Sequence, residues 1–204
     1  MRSDFTFKKI DSPEALLEVY KLRFQVYCKE RNFFREADYP QGLELDAFDD
    51  HSVHFGGYDA SGRLVGAVRL ILPSCGKFPI EEHCSTLGME EECLLRWECA
   101  EISRLTISKL IRPQEKSSVL IRKVNPVVSG LCDLMYQEAC QEGIRYGLAL
   151  MEEPLKLLLK LNGYSFVPIG PQVDFCGLVT PFLIDLGEAE RRGTFKNPYS
   201  SFAR

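Results

Sequence analysis

The segment Trp97-Glu98-Cys99-Ala100-Glu101-Ile102-Ser103-Arg104-Leu105-Thr106-Ile107-Ser108-Lys109 decides the fold. Its second half, Ile102 to Ile107, is rich in the β-branched residues that suit strands. Apolar or weakly polar residues fall on both parities, with Ala100, Ile102 and Thr106 on one and Cys99, Leu105 and Ile107 on the other. A strand covered on both faces has that pattern and sits in the middle of a sheet. Glu98, Glu101 and Arg104 interrupt it. A charge in such a strand is costly unless it is paired or faces a cleft. This stretch is therefore expected to be a central strand whose charges form either a structural ion pair or part of a cleft.

Three further places put charge where the pattern predicts an apolar surface. Ser12-Pro13-Glu14 reads as a helix start, with Ser12 as cap and Pro13 in the first turn. Leu16, Tyr20, Arg23 and Tyr27 then share one helical face, which carries Arg23 onto the apolar stripe. Val53–Tyr58 and Arg63–Leu72 are expected strands joined by the hairpin turn Asp59-Ala60-Ser61-Gly62. In the second of them Arg69 shares a face with Val65, Ala67 and Ile71. Between these lies Glu44-Leu45-Asp46-Ala47-Phe48-Asp49-Asp50, dense in carboxylates that repel one another unless cations are near. Calcium-loop spacing is missing there, so arginines are the expected source of positive charge.

Downstream, Asn125-Pro126 opens a helix that stops at Gly143, Arg145–Met151 is a short strand, and Glu153–Leu161 is a Leu-rich helix ended by Asn162-Gly163. Ser165–Ile169 and Val173–Leu186 read as closing strands around Gly170-Pro171, and 187–204 as a peripheral tail. The order predicts an α/β fold about a mixed sheet. A length of 204 residues fits one domain spanning 1–204.

Composition narrows the function classes. A formal charge of −4 argues against general nucleic-acid binding. No apolar run is long enough to span a bilayer and Met1–Lys9 lacks a signal-peptide core, so the expected location is the cytoplasm. The cysteines (28, 75, 84, 93, 99, 132, 140 and 176) form no Cys-x-x-Cys pair and there are 3 histidines, so no metal site is expected.

Four short motifs in register resemble the autoinducer synthase superfamily. They are Arg23-Phe24-Gln25-Val26-Tyr27, Glu44-x-Asp46-x-Phe48-Asp49, Gly66-x-x-Arg69-Leu70 and Glu101-Ile102-Ser103-Arg104. That superfamily includes acyl-homoserine lactone synthases and long-chain N-acyl amino acid synthases. Val26-Tyr27-Cys28-x-Glu30, His54-Phe55, Phe78-Pro79-Ile80-Glu81-x-His83-Cys84 and Met151-Glu152-x-x-Leu155 resemble its PEP-CTERM (exosortase) system-associated acyltransferase group most closely. The resemblance covers roughly Leu22–Phe182. It implies a GNAT-type fold, a mixed twisted sheet with helices on both faces, in which a bulge and a splay between two parallel strands open an acyl cleft.

The resemblance further implies transfer of a long fatty acyl group from acyl carrier protein, or from acyl-coenzyme A, to the amine of an amino acid, with no permanently bound cofactor. Glu101 is the expected base, with Arg104 and Ser103 beside it. Arg23, Arg69 and Arg104 are expected to pair with Glu44, Asp46 and Asp49 and position the substrate. Tyr27, Phe34 and Phe78 are expected to line the pocket. The region after the central strand, Leu110-Ile111-Arg112-Pro113-Gln114-Glu115, lacks the glycines of a pyrophosphate loop. Its basic residues Lys109, Arg112, Lys116, Arg122 and Lys123 suit an acidic carrier protein. Phe34 stands where acyl-homoserine lactone synthases usually have tryptophan. Two other readings remain open at this point: a lactone synthase using S-adenosylmethionine, and an acyl-binding or carrier-binding module without activity.

Overall fold

The computed structural model describes residues 5–84, 96–111 and 125–194. Strands β1 (Thr6–Ile10), β2 (Ser52–Tyr58), β3 (Leu64–Ile71), β4 (Cys99–Ile107), β5 (Tyr146–Met151), β6 (Val167–Pro168), β7 (Val173–Asp174) and β8 (Leu178–Asp185) form a sheet in the order β1-β2-β3-β4-β5-β8-β6, with β7 on β8. Strand β4, the segment read first, is the middle strand of that path. It runs antiparallel to β3 and parallel to β5, and the other described pairings are antiparallel. The sheet is thus mixed, as expected.

Helix α1 (Pro13–Phe24) starts as its sequence predicts, with the Ser12 hydroxyl accepting from the Ala15 amide at 3.2 Å. It contacts β3 and β4. Helix α3 (Pro126–Gln141) is capped by the Asn125 side chain and packs on β1, β2, β3 and β4. The two lie on opposite faces. A Cβ on Gly66 of β3 would meet Val127 of α3 at 2.6 Å, whereas the next residue but two, Arg69, points to the carboxylates beside α1. The main core lies under α3, with Phe55, Val65, Leu70, Val128 and Leu131 sealed from water. Each fully buried side chain of this size contributes about 1.5–3 kcal/mol. A second, smaller core joins Ile71, Phe78, Ile80, Cys99 and Leu148.

Several local features differ from the sequence reading. Strand β1 was not anticipated, because its exposed edge shows little apolar pattern. Helix α1 runs on into a π-helix, Gln25–Glu30, so the face through Tyr27 slips out of the regular period. Phe78-Pro79-Ile80 anchors a short helix, α2 (Pro79–His83). The tail begins with helix α5 (Leu186–Arg191), whose Ala189 is buried in the main core, so it is integral and not peripheral up to that point. Helix α4 (Glu153–Leu161) matches its predicted bounds.

Candidate active site

The site begins with two irregularities in β4. Opposite β3 the register steps from Ala67↔Thr106 to Arg69↔Ser103, so Arg104 and Leu105 together face Val68. This is a β-bulge, and Arg104 sits in it with φ 54°, a left-handed conformation rare for a residue with a side chain. On the other edge β4 pairs with β5 only over Cys99–Glu101 against Tyr146–Leu148, after which the strands part. A cleft opens between them.

The left-handed residue decides which side chains meet. In a regular strand Glu101 and Ser103 would share one face and Arg104 would point to the other. With φ positive, Arg104 turns back to join Glu44 and Asp46 on the side where Arg69 also lies.

There, three arginines and three carboxylates alternate around a closed ring. Arg23 donates to Glu44 at 2.5 Å and to Asp49 at 2.7 Å. Arg69 donates to Asp49 at 2.8 Å and to Asp46 at 2.6 Å. Arg104 donates to Asp46 at 3.0 Å and to Glu44 at 3.1 Å. Every charge is shared by two of opposite sign, which compensates the loss of water around them. Burial opposes ionisation of Glu44, but Arg104 and Arg23 outweigh it and its proton affinity is lowered. Burial likewise opposes ionisation of Asp49, yet Arg23 and Arg69 bring it down to about 2.

The ring is not uniformly buried. Arg23 and Glu44 are 1% and 0% exposed, and Asp49 and Arg69 are buried with them. Arg104 and Asp46 keep 19% and 27% of their side-chain surface and face the cavity. Of the expected substrate-binding residues, Arg23, Glu44, Asp49 and Arg69 therefore stand behind the wall, while Asp46, Tyr27 and Phe34 are on it. The Tyr27 hydroxyl donates to the Leu105 carbonyl at 3.0 Å, and the Arg104 guanidinium lies 5.1 Å from the Phe34 ring. Phe78, expected on the wall, is instead packed in the second core.

Glu101 faces the cavity yet is only 3% exposed. Burial raises its proton affinity to about 7, although the Ile80 amide, Arg69 and Arg104 all favour the carboxylate. The Ile80 N–H donates to Glu101 Oε2 at 2.8 Å. Ser103 Oγ accepts from Arg69 Nε at 3.0 Å, leaving its own hydroxyl proton free to be donated.

The cavity is about 1680 Å³. That exceeds the ~300–1,000 Å³ of most small-ligand pockets. One end is polar, with Glu101, Ser103, Arg104 and Asp46. The other is apolar and runs between β5 and the helices, past Ala149, Cys132, Met135, Leu155, Leu158 and Phe166. Sequence reasoning did not find His83 and Phe175, which line the cavity with their rings stacked 3.7 Å apart. His83 stands in a motif that carried the resemblance, but nothing local signals its distant partner. Lys109 borders the cavity, while Arg112, Lys116, Arg122 and Lys123 fall outside the described residues.

Comparison with known proteins agrees with this geometry. The acetyltransferase (GNAT) domain model matches residues 22–122. No curated protein matches the chain in sequence. Among solved structures, the acyl-homoserine lactone synthase LasI superposes with a TM-score of 0.68 at 19% identity, over 90% of this chain and 91% of that one. BjaI, a CoA-dependent acyl-homoserine lactone synthase solved with SAM and isopentyl-CoA, gives 0.66 at 19% identity, covering 95% and 91%. FeeM, an N-acyl amino acid synthase from uncultured soil microbes, gives 0.65 at 15% identity, covering 99% and 98%. The chain has the GNAT fold, which these lactone synthases and the N-acyl amino acid synthase share.

Proposed function

We propose that the protein is an N-acyltransferase that moves a long-chain fatty acyl group from acyl carrier protein to the amine of an amino acid. The observation that carries this reading is the placement of Glu101. A buried carboxyl that titrates near 7 opens onto a cavity with a polar end and a long apolar end. A base poised near the working pH is what amine attack on a thioester requires.

The amine nitrogen attacks the thioester carbonyl carbon and its proton passes to Glu101, directly or through water. A bulge takes one residue out of the ladder, and an amide released at Arg104–Leu105 would donate to the oxyanion. The C–S bond then breaks and the amide product forms. The departing thiolate takes the proton that Glu101 received, directly or relayed through the Ser103 hydroxyl, which is reprotonated by Glu101 as it donates. Arg104 and Asp46, held by the ring behind them, position the amine substrate, with Tyr27 and Phe34 beside it. The apolar end holds the acyl chain. Lys109, at the cavity's edge, begins the basic segment that docks the carrier protein, and that segment's lack of glycines favours a protein-borne donor over coenzyme A.

Mass spectrometry of lipid extracts from cells overexpressing the protein tests the reading. An acyl amino acid that disappears in Glu101→Gln supports it. An acyl lactone would assign S-adenosylmethionine as the amine substrate, and no new product would remove the activity.

A further inference from the structure

Glu101 does not stand alone on its side of the cavity. Its one described hydrogen-bond donor, the Ile80 amide, belongs to the turn Phe78–Glu81, and that turn is tied down twice. The Glu81 carboxylate accepts from the Phe78 amide at 2.6 Å. The same carboxylate takes both terminal nitrogens of Arg96, each at 3.0 Å. The Arg96 guanidinium in turn lies 4.7 Å from the centroid of the Phe78 ring, which is buried in the second core. Two planar groups and a buried ring thus fix the backbone one residue before and one residue after Pro79-Ile80. Arg96 itself stands three residues before β4, the strand that bears Glu101. Surface ion pairs of this kind contribute little stability on their own, but bidentate Arg–carboxylate geometry specifies orientation.

We propose that Arg96 and Glu81 are positioning residues that hold the Ile80 amide on Glu101 and thereby set how readily that carboxyl gives up its proton. The inference rests on the reading of Glu101 as the base of acyl transfer. Arg96 and Glu81 act through Ile80 and are absent from the cavity wall, whereas Ile80 and Glu101 line it. A hydrogen bond donated to a carboxylate favours its ionised form, so a loosened turn raises the proton affinity of Glu101. Other groups facing Glu101 are Arg69 from β3, Arg104 from β4, Asp46 from the carboxylate loop and the Cys75 and Cys84 thiols. Helix α2 adds Glu81, Glu82 and His83.

Charge alone and positioning give opposite signs for one substitution, which makes the test decisive. Removing the Glu81 carboxylate deletes a negative charge, and through space that would lower the proton affinity of Glu101 or leave it unchanged. Releasing the turn raises it. The Glu101 titration is read by carbon-13 NMR on protein labelled at glutamate, with the resonance assigned by its loss in Glu101→Gln. Glu81→Ala is expected to move the titration upward by about one pH unit. A titration unmoved or moved downward, in a variant with wild-type circular dichroism, overturns the proposal. If Glu81→Ala does not fold, Arg96→Lys carries the same test. It keeps the charge and loses the fork, so a rise supports the clamp and an unchanged titration rejects it. The catalytic reading is checked separately, since the acid limb of kcat/KM must move with the titration. A shifted titration in a protein that forms no acylated amine would leave the clamp standing and remove the reaction.

Discussion

Arg104 reaches Glu44, sixty positions earlier in the chain, with Nη2 3.1 Å from Oε1, and it does so from a left-handed backbone at φ 54°. The strain of that conformation, on the order of 1–3 kcal/mol, persists only where surrounding contacts over-determine it. Here two carboxylates and two aromatic rings do so. The bulge that joins the ring of charges also shapes the cleft, so architecture and chemistry share one residue.

The ring makes a stability prediction. Arg69→Ala removes one of the two arginines that each of Asp46 and Asp49 touches and leaves three carboxylates against two arginines, at a cost of about 3–5 kcal/mol. Urea unfolding followed by circular dichroism measures it. A loss below 1 kcal/mol would mean the ring is not a stabilising unit.

The pH dependence has two limbs of opposite sign. Asp49 is held at about 2, below its ordinary 3.8, so its contribution is present above about 4 and lost as pH falls through 2. Glu101 is raised from 4.5 to about 7, so the folded state binds its proton more tightly than the unfolded one. Stability is therefore lost as pH rises from 4.5 through 7, by on the order of 3 kcal/mol. Glu101→Gln should accordingly melt higher than wild type at pH 8 and close to it at pH 4. Equal melting temperatures at pH 8 would show that the carboxyl is not held in a destabilised ionised state.

The same substitution tests chemistry. Gln accepts the Ile80 hydrogen bond but has no useful proton affinity, so kcat should fall about 10²–10⁴-fold with folding intact. In wild type, kcat/KM should decline below about pH 7, where Glu101 takes up its proton. Near-normal turnover of Glu101→Gln would leave Glu101 as a structural residue.

On the proposed reading, the apolar end of the cavity sets the acyl chain length. Ala149 of β5 is buried on that wall, and Ala149→Phe inserts a ring into the path. The variant should shift products to shorter acyl chains, measured by mass spectrometry with mixed donors. An unchanged product profile would place the acyl chain elsewhere.

Docking of the carrier is an electrostatic prediction. Lys109→Glu should raise the apparent KM for the acyl carrier protein donor several-fold at low salt and leave a short acyl-pantetheine donor unaffected. Such steering is screened over about 8–10 Å at physiological salt, so the difference should shrink as salt is added. Equal effects on both donors would mean Lys109 acts on the acyl group and not on the carrier.

Local pattern alone determined that Cys99–Ile107 is a central strand, that α1, α3 and α4 begin where their caps and prolines stand, and that Arg23, Arg69 and Arg104 need carboxylates. Those properties depend on residue period, capping chemistry and the cost of burying charge, all of which act over a few residues. The ring's closure, the exposure of Arg104 and Asp46 alone at the cavity, and the Ile80 amide on Glu101 join residues 20 to 60 positions apart. Phe78 shows the difference plainly. Its aromatic ring fits a pocket wall or a core equally well, and only the packing of Ile71, Cys99 and Leu148 around it decided for the core. The π-helix at Gln25–Glu30 and the left-handed Arg104 are likewise settled by tertiary contacts, because no local propensity favours either.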